Sequence, residues 1–112
     1  MKKLILTALV VCLVSPAWGD PVFKDGNLLH RNCKSGEGTY QALCLGYITG
    51  ATDAIRGAGK GAGGFTFCPP EWVALGTVKN VVKNWLMRNP QKHQFAAPTL
   101  IAEALAKSYP CK

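Results

Sequence analysis

Four cysteines behind an export signal constrain this chain more than any other feature. Residues 1–19 begin with two lysines, continue as an apolar run over 4–14 and end in a small-x-small cleavage site at Gly19. Of the five cysteines, Cys12 lies in this signal, so four remain in the mature chain, residues 20–112. The length of the mature chain predicts a single domain. An even number of cysteines in a compartment that oxidises thiols indicates two disulfides, and it argues against a thiol enzyme.

Charge and hydropathy restrict the partners of the mature chain. Without the two signal lysines, 11 Lys and Arg against 6 Asp and Glu give a formal charge of +5, which suits an acidic partner or an anionic surface. Nucleic acid is not expected, because the chain has neither clustered arginines nor an array of aromatic residues for base stacking. No apolar stretch of about 18 residues follows the signal, so we expect no membrane span after processing. The signal is of a bacterial type, which predicts the periplasm as the location.

Apolar residues at helical spacing predict an all-α fold, a small disulfide-stapled bundle of about four helices. The predicted helices cover approximately residues 25–33, 39–55, 69–89 and 98–108. Asp25 caps the first helix, Pro69-Pro70-Glu71 opens the third, and Asn89-Pro90 ends it. The residues expected to be buried are Leu28, Leu29, Tyr40, Leu43, Tyr47, Ile48, Ala51, Ala54, Leu75, Val78, Val81, Val82, Trp85, Leu86, Leu100, Ile101, Ala104 and Leu105.

Small residues give the second helix and the loop after it a distinct character. Gly46, Gly50 and Ala54 fall four residues apart and would let another helix approach closely. Packing within the chain is the favoured interpretation of this ridge, with a dimer contact as the alternative. The sequence GAGKGAGG at 57–64 ends the helix and predicts a mobile loop. It lacks the residue spacing and the preceding strand of a phosphate-binding loop.

Four cysteines allow three pairings, and the sequence alone does not select one of them. Helix geometry favours one arrangement. The third and fourth helices should be antiparallel because their connection is short, which brings Cys68, before the third helix, near Cys111, after the fourth. Cys33 would then pair with Cys44 across a short loop. Both bonds are interpreted as structural, since the chain has no Cys-x-x-Cys motif.

The sequence offers no convincing catalytic or metal site, and we expect neither enzyme activity nor a cofactor. His30 and His93 lack a second metal ligand at helical spacing. A Cys-His nucleophile would need a free thiol, which two disulfides do not leave. The carboxylates are scattered along the chain. Asp53, three residues before Arg56, is best explained by a local ion pair or a buried hydrogen bond.

Several segments of the mature chain resemble the Rap/Tai immunity protein family. They are LCLGYITGATDA at 43–54, FCPPEWVALGTVKNVVKNWLMRNP at 67–90, and, further on, His93, Ala96, Ala97, Ala102-Glu103-Ala104-Leu105 and Tyr109-Pro110-Cys111. The resemblance covers most of the mature chain, from about Asn27 onward. Its most specific part is the joint spacing of the cysteine-leucine-glycine-tyrosine, cysteine-proline and final proline-cysteine motifs.

The resemblance implies a periplasmic antidote that is small, helical, disulfide-bonded and often a homodimer. Its partner would be a secreted peptidoglycan amidase effector, a Cys-His enzyme that neighbouring bacteria inject through the type VI secretion system and that cuts the peptide stems of the cell wall. Such an immunity protein blocks the amidase cleft by occupying it. The alternative function is that of a periplasmic stress chaperone (a holdase), which would expose apolar surface at low pH.

A candidate contact surface lies on the polar side of the third helix. Its residues are Lys79, Asn80, Lys83 and Arg88, together with Lys60 and Phe65 from the glycine-rich loop. Arginine and aromatic residues are common anchors of protein interfaces, so Arg88 and Phe65 are the strongest individual candidates. The alternative interpretation is that these lysines and asparagines only solvate the helix.

Overall fold

The computed structural model describes residues 24–112, and it confirms the all-α prediction. The α-helices are α1 (Gly26–Lys34), α2 (Gly38–Ala58), α3 (Leu75–Arg88) and α4 (Ala97–Ser108), with a 3₁₀ turn at Pro90–Lys92 between α3 and α4. The predicted signal and its cleavage after Gly19 lie outside the described residues. Within residues 24–112, no helix combines the length and the apolar character needed to span a bilayer.

The N-terminus of α1 is fixed against the connection between α3 and α4. Asp25 caps the helix as predicted, its Oδ1 accepting a hydrogen bond from a first-turn amide at 2.9 Å. The next two amides, of Gly26 and Asn27, donate to the carbonyls of Phe95 and His93 at 2.9 Å each. Glycine is required at position 26, because a Cβ there would lie 2.8 Å from the Cα of His93.

The core lies between the helices, with one disulfide inside it and one at the surface. Every residue of α4 from Leu100 to Leu105 is buried. The Cys33–Cys44 bond ties α1 to α2 within the core, where both cysteines are fully buried. The Cys68–Cys111 bond ties the segment before α3 to the end of the chain, beside a hydrogen bond of 2.8 Å from the Cys68 amide to the Tyr109 carbonyl. These are the two pairs that the helix geometry favours.

The third helix begins later than the sequence predicts. Pro69-Pro70-Glu71 does not open it; the chain turns here, with the Val73 amide donating to the Pro70 carbonyl at 3.1 Å, and α3 begins at Leu75. Two causes act together. A residue that precedes proline is driven towards extended backbone, and the Cys68–Cys111 bond holds the segment alongside the end of the chain.

The predicted buried positions are partly wrong. Most are buried or half-buried, but five are exposed: Leu28, Tyr40, Leu43, Ala54 and Leu75. Tyr40 and Leu43 are 44% and 45% exposed, and Leu75 is 57% exposed. Helical periodicity identifies the apolar positions of a helix, but it does not reveal whether another element covers them. In this four-helix arrangement these positions are left uncovered.

The glycine-rich segment after α2 folds into a tight turn. Four of its glycines have positive φ angles, between 59° and 84°: Gly59, Gly61, Gly63 and Gly64. Ala62 and Phe65 exchange two backbone hydrogen bonds of 3.0 Å across the Gly63-Gly64 tip. A two-residue tip with positive φ at both positions strongly favours glycine, so the glycines have a defined conformational role in this turn.

Candidate functional site

The predicted contact residues on α3 form a partly exposed polar stripe. Asn80 and Arg88 are exposed, whereas Lys79 and Lys83 are half-buried. Lys79 Nζ donates to Gln41 Oε1 of α2 at 3.3 Å, so this lysine bridges two helices as well as facing solvent. Two of the four residues are therefore available to a partner without any rearrangement.

The two predicted contact residues in the glycine-rich loop lie outside the α3 stripe. Lys60 is exposed, and Phe65 is half-buried against the core. The loop follows the end of α2, which packs beside the start of α3, whereas Arg88 is the last residue of α3. Since α3 has 14 residues, it is about 21 Å long. The structure therefore does not bring Lys60 and Arg88 together.

A groove lies between the C-terminal half of α2 and the segment 67–75. It consists of a cavity of about 670 Å³ and an adjoining cavity of about 130 Å³. Four residues line both cavities: Arg56, Pro69, Pro70 and Glu71. The Cys68–Cys111 disulfide lines the larger cavity, so one wall of this α2–α3 groove is covalently tied to the end of the chain.

Exposed apolar residues flank the α2–α3 groove. Trp72 is 83% exposed; its neighbours Glu71 and Val73 line the groove, and Trp72 itself lines neither cavity. Leu75, also exposed, lines the smaller cavity. A tryptophan buries on the order of 200 Å² when it is covered, and tryptophan is enriched among the residues that dominate binding energy. This edge has the composition of an interface anchor.

Thr52, in the smaller cavity, has a hydroxyl with no partner. The residue is 7% exposed, and its buried Oγ1 has no hydrogen-bond partner among residues 24–112. Helical threonines often donate to the carbonyl four residues earlier, as Thr49 does to Leu45 at 2.6 Å in the same helix. Thr52 does not, although it stands only three residues further along α2.

Three charged side chains also line the α2–α3 groove: Asp53, Arg56 and Glu71. The local ion pair expected between Asp53 and Arg56 does not form, and Asp53 is exposed. The ion pair found within the described residues joins Lys92 and Glu103 at 3.2 Å, at the other end of α3. The groove therefore presents two carboxylates and one guanidinium that are free to meet a partner.

No described residue packs closely on the small-residue ridge of α2, so the prediction that the ridge packs within the chain is wrong for residues 24–112. A Cβ placed on Gly46 or Gly50 would meet no described atom within 4 Å. A shallow apolar depression of about 370 Å³ lies over the ridge, bordered by Tyr47 and Pro98. Burial raises the pKa of the Tyr47 phenol.

Two histidines far apart in the sequence pack against each other in the fold, with their rings tilted by 39°. The ring centroids of His30 and His93 are 4.6 Å apart, and His93 Nε2 donates to the Leu86 carbonyl at 2.7 Å. Burial lowers the pKa of His30, and the neighbouring His93 and Lys34 lower it further. No group of three His, Cys, Asp or Glu side chains in the part of the chain that the structure describes is placed to hold a metal ion.

The region from the α1 cap to the last cysteine matches a known protein family. A family model described as Rap1a immunity proteins covers residues 25–111, more than three quarters of the chain. The chain belongs to the Rap1a immunity protein family. No curated protein and no solved structure matches it. Membership of the Rap1a family indicates that the chain binds a toxin effector, and the matched range includes the whole α2–α3 groove.

The sequence interpretation missed the apolar edge of this groove. If the third helix started at Pro69, Trp72 would lie inside that helix, and no sequence pattern would mark it as exposed. The signal that could have identified it is the Pro69-Pro70 pair, because the backbone before a proline disfavours helix and marks a turn. An aromatic residue in a turn has no helix face on which to be buried, so its exposure becomes a reasonable expectation.

Proposed function

We propose that this chain is a periplasmic immunity protein that binds a peptidoglycan amidase effector of the type VI secretion system and blocks its active-site cleft. The observation that carries the proposal is the Rap1a family match across residues 25–111. The resemblance of the cysteine motifs to the Rap/Tai family supports an amidase as the kind of toxin. Such a toxin acts on the cell wall, so the antidote must meet it in the periplasm, where the predicted signal over 1–19 would deliver it.

The disulfides and the charge of the domain suit this role. Two disulfides are typical of a small domain in an oxidising compartment, where a modest core benefits from covalent links. The mature charge of +5 favours association with an acidic surface around a cleft. Occluding a cleft requires a complementary surface and no chemistry, so the proposal assigns no catalytic residue to the chain.

The central experiment measures binding and inhibition with the mature chain, residues 20–112, purified from the periplasm with its disulfides intact. Candidate amidase effectors are co-purified with it, and the release of cleaved stem peptides from isolated cell wall is followed. We expect a stoichiometric complex and loss of hydrolysis. If no amidase is bound or inhibited, the proposal is wrong.

The predicted contact residues are tested in the same assay. Arg88→Ala and Lys83→Ala should weaken the complex with the effector, because both side chains belong to the proposed contact stripe on α3. Lys107→Ala, an exposed cation near the end of α4, is the matched control and should leave the affinity unchanged. Equal affinities for all three variants would remove the α3 stripe from the contact surface.

We also propose that the chain forms a homodimer through the bare ridge of α2. Gly46 and Gly50 would let a second helix approach closely, and the exposed Tyr40 and Leu43 would supply apolar area. Leu43→Glu should convert the dimer to a monomer in light scattering, whereas Asn84→Glu, on exposed α3 surface, should not. A wild-type monomer at micromolar concentration would refute the dimer.

A further inference from the structure

We propose that the α2–α3 groove, together with the exposed Trp72 beside it, is a docking site for a protruding segment of the toxin effector. The inference rests on the proposed function for the identity of the partner, and on the structure for the place and chemistry of the site. The expected segment presents an apolar side chain to Trp72 and Leu75. It also presents a hydrogen-bond donor, either a backbone amide or a cationic side chain, to the polar lining of the groove.

The exposed Trp72 is the apolar anchor beside the groove. Among the large apolar side chains of residues 24–112, Trp72 has the greatest exposure. Its backbone is fixed by the turn that the Val73 amide closes on Pro70 and by the Cys68–Cys111 bond next to it. A rigid backbone reduces the entropy lost on binding, so the side chain is displayed in advance rather than ordered by the partner.

The polar lining of the groove supplies hydrogen-bond acceptors. The carboxylates of Asp53 and Glu71 line it beside the guanidinium of Arg56, and none of the three forms an ion pair among the described residues. The exposed Lys60 lies between Gly59 and Gly61, which also line the larger cavity, so charges of both signs surround the groove. A hydrogen-bond donor from the effector would bind one of the two carboxylates.

The dimensions of the groove suit a chain segment better than a flat surface contact. The larger cavity of about 670 Å³ lies within the range of sites that hold ligands of several residues or drug size. The adjoining cavity of about 130 Å³ admits a single side chain and reaches Thr52. A protruding loop that lies along the first cavity and inserts one residue into the second would contact both halves of the site.

Binding measurements with three variants test the docking site. Trp72→Ala should raise the Kd for the amidase effector about thirtyfold, the loss expected of a dominant anchor. Glu71→Gln removes one carboxylate of the lining at nearly constant volume and should raise the Kd about fivefold, as the loss of one charge-assisted hydrogen bond predicts. Phe95→Ala is the matched control, since Phe95 is also an exposed aromatic residue but lies at the far end of α3. It should change the Kd less than about twofold.

Tryptophan fluorescence gives a second readout that does not depend on affinity. The expected mature chain contains Trp72, which is exposed, and Trp85, which is buried. Acrylamide should quench Trp72 in the free protein and lose access to it in the complex. Trp72→Phe leaves only Trp85, so the difference between wild type and this variant isolates the signal of Trp72 from that of Trp85 and of the effector.

The outcomes distinguish the docking site from the function on which it rests. If the wild type binds no amidase effector, the proposed function fails and the docking proposal fails with it. If the wild type binds and inhibits, but Trp72→Ala and Glu71→Gln bind as well as wild type, the proposed function stands and only the groove assignment is overturned. If Trp72 remains open to acrylamide in the complex, the groove assignment is overturned as well.

Discussion

Replacing Thr52 by valine should stabilise the free protein, against the usual direction of a core substitution. The side chain is 7% exposed, and its hydroxyl has no partner among residues 24–112. A buried polar group without a partner costs on the order of 1–3 kcal/mol. Valine keeps the volume and the β-branching, so helix propensity and packing change little. We expect a gain of about 1 kcal/mol, or about 4–8 °C in Tm for a domain of this size.

Thr49→Val is the matched control for this prediction. It makes the same chemical change in the same helix, but the Thr49 hydroxyl donates to the Leu45 carbonyl at 2.6 Å. The variant should therefore lose up to about 1 kcal/mol rather than gain stability. Urea and thermal unfolding, followed by circular dichroism with the disulfides intact, give both values. If Thr52→Val is no more stable than wild type, or if both variants shift equally in one direction, the reasoning about the unpaired hydroxyl fails.

Three further predictions test the fold. Cys68→Ala with Cys111→Ala should cost about 4 kcal/mol, because the bond spans a sequence separation of 43; an unchanged urea midpoint would contradict this. The pKa of His30 is lower in the folded chain than the unfolded value near 6.5, so the unfolded state binds more protons. The free energy of unfolding should therefore fall as the pH decreases below about 6.5, and His30→Gln should reduce this pH dependence. Gly26→Ala should destabilise by about 1–3 kcal/mol through its clash with backbone, whereas Gly76→Ala, in open space on α3, should not.

The helices and the disulfide pairs could be predicted from the sequence because they depend on local patterns and short connections. Asp25 marks the start of α1, and the glycines after α2 mark its end. The short connection between α3 and α4 orients these helices, and their orientation brings Cys68 to Cys111. These predictions depend only on residues that are close in the sequence or on the length of one loop.

The uncovered surfaces could not be predicted from the sequence, because whether a surface is covered depends on the whole fold. A glycine such as Gly50 and a leucine such as Leu43 are typical of buried helix contacts. No sequence pattern reveals that the described part of the chain leaves both of them uncovered. The α2–α3 groove depends on a turn that replaces the first helical turn expected at Pro69. The unpaired state of the Thr52 hydroxyl depends on packing around it, whereas the sequence suggests only the bond to the preceding turn that Thr49 makes.

Helix α2 carries both the proposed dimer ridge and one wall of the groove, and the two surfaces meet at Ile55, which lines both. At about 100° per residue, Gly50 and Thr52 point roughly 160° apart around the helix axis, so most of each surface is separate from the other. A dimer centred on Gly46 and Gly50 would therefore leave the segment 67–75 of each protomer open, and two effectors could bind one dimer. The monomeric Leu43→Glu variant should then bind the effector with unchanged affinity, and Trp72→Ala should remain dimeric; loss of effector binding by Leu43→Glu would show that the two surfaces are not independent.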